Sequence, residues 1–243
     1  MVLRTVLKPL PAAFLAAALA TFLAAGAARA QSLTIQPVSV TLAAGQMAAT
    51  LTVLNQSPAP SAFQVRAYEW RAVDGEDQLV PTEAIALSPP LGTIAPNASQ
   101  LIRLVLRRPA KDREETYRIW LDQIPAASEP GSVRIALRFS IPVFAQPAVR
   151  VSPQLQWRVT SEGGRYFLVA SNSGARHQAV RNLVRAMPDG SVVKTEGSIS
   201  PYVLAGATRR WPLIMPPPPG ILLKLTATTD EGALDQTVAV SAR

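Results

Sequence analysis

Arg103 interrupts the apolar run "LIRLVL" and Arg118 interrupts "TYRIWLDQIP", so each guanidinium projects from inside a strand-like segment rather than from its end. Arginine presents its donors as a planar fork that matches a carboxylate. Inside a strand that fork either points to solvent from a sheet face, as most strand arginines do, or recognises an acidic group. Other chemistry is sparse. His177, in "SNSGARHQAV", is the only histidine and there is no cysteine. This excludes thiol catalysis, a His cluster for zinc and a Ser-His-Asp triad of the usual build. His177 stands at a predicted turn and is expected to be solvated. The "DGED" run, Asp74 to Asp77, gathers three carboxylates beside a glycine, but it lies between an aromatic strand and "QLVPT", where a hairpin loop of solvated charge is expected rather than a calcium site. No Gly-rich phosphate loop, nucleophile elbow or metalloprotease motif occurs. The chain is expected to hold no metal or cofactor and to catalyse nothing, which leaves binding.

The elements that must carry such a binding site are strands. Short alternating segments separated by Gly, Pro, Asn and Asp recur along the chain, and no long stretch has helical periodicity. The expected class is all-β. Seven strands are predicted first: Leu33–Leu42, Ala49–Asn55, Ala62–Trp70, Glu83–Leu87, Gln100–Arg107, Thr116–Gln123 and Val133–Phe144. Seven is the count of an immunoglobulin-like sandwich. In the first of them the apolar phase flips at Pro37, from Leu33 and Ile35 to Val38, Val40 and Leu42, which predicts an edge strand that breaks and changes sheet. The last, in "SVRIALRFSIPVFAQP", carries the apolar row Val133, Ile135, Leu137, Phe139, Ile141 and Val143. That row is longer than a core crossing requires, and it is predicted to lie at an edge and to bury more than its own domain needs.

Pro147 and Pro153 bracket a connection that places a domain boundary there. Beyond it Gln154–Thr160, Tyr166–Ser171, Ala179–Met187, Val192–Glu196, Tyr202–Ala205, Thr208–Leu213, Ile221–Thr228 and Thr237–Val240 predict a second, smaller β-sandwich, with Met215–Gly220 as a stiff proline loop.

The first thirty of the 243 residues are read apart from the fold. Arg4 and Lys8 precede an apolar run from Ala12 to about Ala25, and Ala28-Arg29-Ala30 forms a cleavage signal, so a secretory leader cut near Ala30 is expected. The run is short for a spanning helix, and no membrane insertion is expected after cleavage. The leader holds three basic residues and no acidic one, so its removal lowers the formal charge from +8 to +5. The remaining arginines are scattered singly, which argues against nucleic acid and leaves a modest positive field for acidic partners. Without disulfides the mature chain must rely on its cores, for which about 210 residues suffice.

The segments "VSVTLAAGQMAATLTVLNQ", "FQVRAYEWRAVDGEDQLVPTEAIALSPPLGTIAPNASQLIRLVLRRP", "ETYRIWLDQIP" and "ALRFSIPVFAQP", in that order, resemble the periplasmic PapD-like chaperones of the chaperone–usher pathway. The similarity is good over Leu33 to Pro147 and weak beyond. It implies a leader over 1–30, an immunoglobulin-like chaperone domain over 31–147 and a second over 148–243, joined at an angle, with no enzymatic activity. It also implies that the strand Val133, Ile135, Leu137, Phe139 and Ile141 is lent to a pilus subunit lacking its own final strand, a form of β-augmentation. An outer-membrane usher would receive the complex in the periplasm, and the free protein could cap its strand by dimerising. In the best-known branch two basic residues hold the subunit's terminal carboxylate; the matching positions are Ser39 and Pro142. The "YR…LD.IP" and "SIPVF" forms resemble instead the archaic branch that serves spore-coat-U-like subunits, and Arg118, then Arg103, are the expected anchors. The competing reading is a secreted structural or adhesive protein with two immunoglobulin-like modules.

Overall fold

The computed structural model describes residues 33–125, 135–196, 200–214, 217–218 and 220–240. The leader, Val133, and Met215, Pro216 and Pro219 of the proline loop lie outside the described residues.

In the first sandwich the strands are β1 (Leu33–Gln36), β2 (Val40–Leu42), β3 (Ala48–Asn55), β4 (Ser61–Val73), β5 (Glu76–Pro81), β6 (Ile85–Ser88), β7 (Leu91–Ile94), β8 (Ser99–Leu106), β9 (Glu115–Ile124) and β10 (Arg138–Ala145). One sheet runs β1-β3-β8-β6 and the other β2-β10-β9-β4-β5, with β7 also on β4. The phase flip at Pro37 is a change of sheet. β1 pairs β3 antiparallel in the first sheet, whereas β2 runs parallel to β10 in the second. Leu33 and Ile35 thus enter the core from one side and Val40 and Leu42 from the other. Phe63, Leu51, Ile102, Leu104, Ile119, Leu121 and Val143 fill the space between, each worth roughly 1.5–3 kcal/mol of burial.

The second sandwich contains β11 (Leu155–Glu162), β12 (Arg165–Asn172), β13 (Gln178–Ala186), β14 (Tyr202–Val203), β15 (Thr208–Leu213), β16 (Leu222–Thr229) and β17 (Gly232–Ala239). Its sheets run β11-β12-β15 and β14-β13-β16-β17 around Leu168, Trp211, Leu223 and Leu225. The expected strand Val192–Glu196 makes only isolated bridges, Val192 to Ala186 and Thr195 to Leu213. Two strands were not expected, β5 and β7. In "DGED" only Asp74 and Gly75 form the turn, both with positive φ, while Glu76 and Asp77 belong to β5.

One polar device appears in both sandwiches. Asn55, 1% exposed, donates through Nδ2 to the carbonyls of Ala59, Ile94 and Ala95, and its Oδ1 accepts from the N–H and hydroxyl of Ser57. Asn172, 2% exposed, donates to Arg176, Val203 and Leu204 and accepts from the N–H groups of Gln154 and Gly174. Each asparagine closes its own strand end and ties a distant loop to it.

Candidate functional site

Along its length β10 has two kinds of edge. From Val143 to Ala145 it lies between β9 and β2, but from Arg138 to Pro142 it pairs β9 alone. The expected edge strand is therefore interior over its last three residues. Its open side looks across a groove of 390 Å³, lined by Leu33, Thr34, Ile35 and Val38 on one wall and Phe139, Ser140 and Ile141 on the other.

The apolar row divides at the same place. Ile141 and Val143 are buried in the chain's own core and Phe139 packs against it. These side chains lie between β9 and β1: Ile141, expected to serve a partner, is buried in its own domain, and Phe139 is partly buried against that core while also lining the groove. Upstream the row is loose: Ile135 is 74% exposed and Leu137 is half-buried. Leu137 is still tethered, its carbonyl accepting from the Gln123 N–H at 2.9 Å. Of the five positions read from the sequence, Ile135 and Leu137 are the described residues that stay outside the chain's own core, and Val133 lies outside the described residues.

The two arginines part company. Arg103 is exposed on β8, opposite Thr50 and Ser88 in the other sheet. Arg118 lies on β9, opposite Pro142 on one flank and Tyr68 on the other. Cross-strand partners hold their Cβ atoms about 5 Å apart. Arg118 can thus present a cation where Pro142 carries none, at the inner end of the open edge.

Even-numbered positions of β4 and β10, on the face turned away from the first core, place Arg118 among aromatics. Trp70 and Phe144 are buried there with Leu204, and Tyr202 packs on them. The Arg118 guanidinium carbon stands 3.7 Å from the Trp70 ring centroid and 5.7 Å from that of Tyr202. Trp70 Nε1 donates to Asp77 Oδ1 at 2.9 Å, and Asp77 Oδ1 also accepts from Arg209. Arg209 is 2% exposed and anchors its Nε on the Tyr202 carbonyl at 3.1 Å. Arg118 itself forms no ion pair among the described residues. Desolvation lowers its pKa despite the opposing pull of Asp77, so the charge is held at a cost that the Trp70 face offsets by about 2 kcal/mol.

His177 is a correction. Expected in solvent, it is 7% exposed, with its ring stacked on Phe144 at 3.6 Å and Nδ1 2.6 Å from Glu114 Oε1, which also accepts the His177 backbone N–H. Glu114 precedes β9 and His177 precedes β13, so the contact pins the second sandwich to the first. No local pattern around a turn histidine announces a carboxylate 63 residues away. Asp77, read as solvated loop charge, is likewise built into this junction. Among the described residues no three metal-ligating side chains converge.

At the outer end of the open edge a second arginine–aromatic ladder fixes the entry of β10. Arg138 stands 4.2 Å over Trp120, which packs 4.4 Å from Tyr68, and Asp122 accepts from both Arg138 and Arg66. Burial pushes the Asp122 carboxyl up, but the hydrogen bonds from Arg138 and Arg66 outweigh it and hold the group below its usual range. A depressed carboxylate contributes stability above its unfolded pKa, near 4, and loses it as pH falls through the folded value. Asp122→Asn is expected to cost about 1 kcal/mol or less at neutral pH, since both arginines are half exposed. It should also speed amide exchange of Phe139 and abolish the acid-side loss of protection expected of wild type. Unchanged exchange would show that the ladder does not hold the strand.

This arrangement offers an extended ligand a row of unpaired main-chain groups, a greasy groove and, at the far end, a cation in want of a carboxylate. Known proteins share the fold that carries it. Residues 32–150 match the PapD N-terminal domain of the pili and flagellar-assembly chaperones. No curated protein matches the chain in sequence. Among solved structures, the CsuC–CsuE chaperone–tip adhesion subunit pre-assembly complex, from archaic chaperone-usher Csu pili of Acinetobacter baumannii, aligns with TM-score 0.67 and 19% identity over 87% of this chain and 100% of the other. The complex of the Salmonella enterica SafA pilin with the SafB chaperone aligns at 0.60 and 19% identity, covering 87% and 97% of the two chains. The E. coli chaperone DraB aligns at 0.58 and 20% identity, covering 88% and 97%. At such identities the structures speak for the fold, two β-sandwiches in one chain, and the domain match speaks for the family. Residues 32–150 belong to the PapD N-terminal domain family of the pili and flagellar-assembly chaperones, and the second sandwich follows behind that domain.

Proposed function

We propose that this chain is a periplasmic chaperone that holds pilus subunits by donor-strand complementation and passes them to an outer-membrane usher. A leader removed near Ala30 takes it there, residues 31–147 form the donor domain and 148–243 the second domain. The observation that carries the reading is the alignment of the open edge with Arg118. β10 has a free side from Arg138 to Pro142, and directly across from Pro142 stands an unpaired, desolvated guanidinium. A subunit strand laid on that edge gains ladder hydrogen bonds, receives Ile135 and Leu137 in its own incomplete core, and ends its chain on Arg118. The carboxylate fixes register, and register decides which side chains enter the groove. Chaperone–subunit complexes of the Csu and Saf systems have this fold, and the "SIPVF" form points to the archaic branch and spore-coat-U-like clients. The protein is not an enzyme in this reading; it carries no cofactor, and in the absence of a client the edge would pair with a second copy.

Ile135→Arg and Leu137→Arg test it. Both variants should keep the circular dichroism of wild type, because Ile135 is exposed and Leu137 lies outside the buried core. Both should lose co-purification with pilin-like proteins co-expressed in the periplasm, since a charge in the client's apolar groove costs several kcal/mol, an order-of-magnitude figure. A folded Ile135→Arg that retains its client overturns donor-strand capture by this edge.

A further inference from the structure

We infer that Arg209, reaching from the second sandwich, is a positioning residue that keeps Asp77 occupied and thereby holds Arg118 unpaired for a client's terminal carboxylate. This rests on the reading of Arg118 given above and adds the device that maintains it.

An arginine kept free for a partner faces a local hazard, because any carboxylate on its own chain competes at a far higher effective concentration than a carboxylate in solution. Asp77 is that competitor. Its charge acts on Arg118, and the two groups share one indole: Arg118 lies on the face of Trp70 while Asp77 takes the proton at its edge. A side-chain rotation separates the observed state from a closed one in which Asp77 pairs Arg118. Two contacts oppose that rotation. Trp70 Nε1 donates to Asp77 Oδ1, and Arg209 donates to the same oxygen. The Arg209 side chain is only 3% exposed and is itself fixed by the Tyr202 carbonyl, so it cannot swing away. Two guanidiniums and one carboxylate leave one positive charge over, and the geometry leaves it on Arg118.

Asp77 belongs to β5 and Arg209 to β15, so the contact lies between the sandwiches. The second domain would therefore contribute to client binding without touching the client, by deciding which of two arginines is neutralised.

The probes are a synthetic peptide of about ten alternating valine and threonine residues, the length of a long strand, with a free terminal carboxylate, and the same peptide amidated. Binding of the full mature chain is followed by isothermal titration. Wild type should prefer the acid over the amide roughly tenfold or more, as for a desolvated charge pair. Arg209→Gln keeps a donor for Asp77 but no charge, and should bring the preference close to one. Adding Asp77→Asn removes the competitor and should restore most of it. A preference that survives Arg209→Gln overturns the inference, as does a folded double variant that does not regain it. If Arg209→Gln fails to fold, the double variant decides alone, retention supporting the inference and loss overturning it. The anchor itself is judged separately. A preference undiminished in Arg118→Ala, or absent in wild type, removes Arg118 as the anchor and this inference with it, whereas loss in Arg118→Ala with no effect of Arg209→Gln overturns only the inference.

Discussion

Arg118→Ala should reduce client affinity by about 2–5 kcal/mol, the loss expected when one half of a buried charged pair is truncated and the other half stays desolvated. A rim contact in solvent would cost about 1 kcal/mol or less, so the size of the loss reports where the carboxylate sits. Thermal stability should change little or rise slightly, because the free protein loses a desolvated cation that Asp77 attracts but no described carboxylate pairs directly. Arg118→Lys keeps the charge and loses the fork and the flat stacking on Trp70, and should rescue only part of the affinity. Removal of the client's last residue should add little to Arg118→Ala, as for two sides of one contact. Affinities come from competition between purified variants for a refolding client. Additive losses, or full binding by Arg118→Ala with loss in Arg103→Ala, would falsify the assignment.

Asn55→Ala is expected to be the most damaging polar truncation in the first sandwich, on the order of 3–5 kcal/mol in urea denaturation. The amide holds three carbonyls and its oxygen holds the N–H and O–H of Ser57, all at 2.7–3.2 Å. Alanine strands several of these groups in a site 1% exposed to water, and each buried orphan costs about 1–3 kcal/mol. Asn55→Asp should be no better, because it turns a carboxylate toward the carbonyls of Ala59, Ile94 and Ala95. Ser57→Ala, which removes one hydroxyl that also donates to the Ala59 carbonyl at 2.7 Å, should cost closer to 1 kcal/mol. A loss under 1 kcal/mol for Asn55→Ala would mean that water replaces the amide. Asn172→Ala should act in the same way on the second sandwich.

Which parts of this architecture could be read from the residues follows from how far each signal extends. Alternation located most strands, and the phase flip at Pro37 revealed the change of sheet, because both depend on neighbours two residues away. β5 escaped because an edge strand exposed on nearly every side chain has no period to read. β7 escaped because its Gly92 reads as a loop, whereas a Cβ there would come within 3.0 Å of the Phe63 ring. At the site, the sequence located Arg118 within a strand and β10 at an edge, and the structure places Arg118 on β9 opposite Pro142 and leaves β10 without a second partner over Arg138 to Pro142. The burial of His177 and Glu114 and the pairing of Asp77 with Arg209 were not, since each is settled by residues of the other sandwich. The one local trace was aromatic: Trp70 and Phe144 occupy positions where alternation assigns solvent. Large rings on an ostensibly wet face mark a surface that something else covers. The point at which the apolar row leaves the chain's own core was hidden for a related reason. Ile141 and Phe139 have the same character as Ile135 and Leu137, and only the position of β1 shows where the chain's own core stops.

Trp70 lies with a guanidinium 3.7 Å from its ring centroid and a carboxylate on its N–H. Such an indole senses both charges, and its excited state responds to any shift of the cation above it. If a carboxylate does settle on Arg118 as proposed, emission from this side chain should report it without a label. With Trp120, Trp157 and Trp211 replaced by phenylalanine, the chain becomes its own single-fluorophore sensor, one whose signal originates at the cation on which a client strand would end.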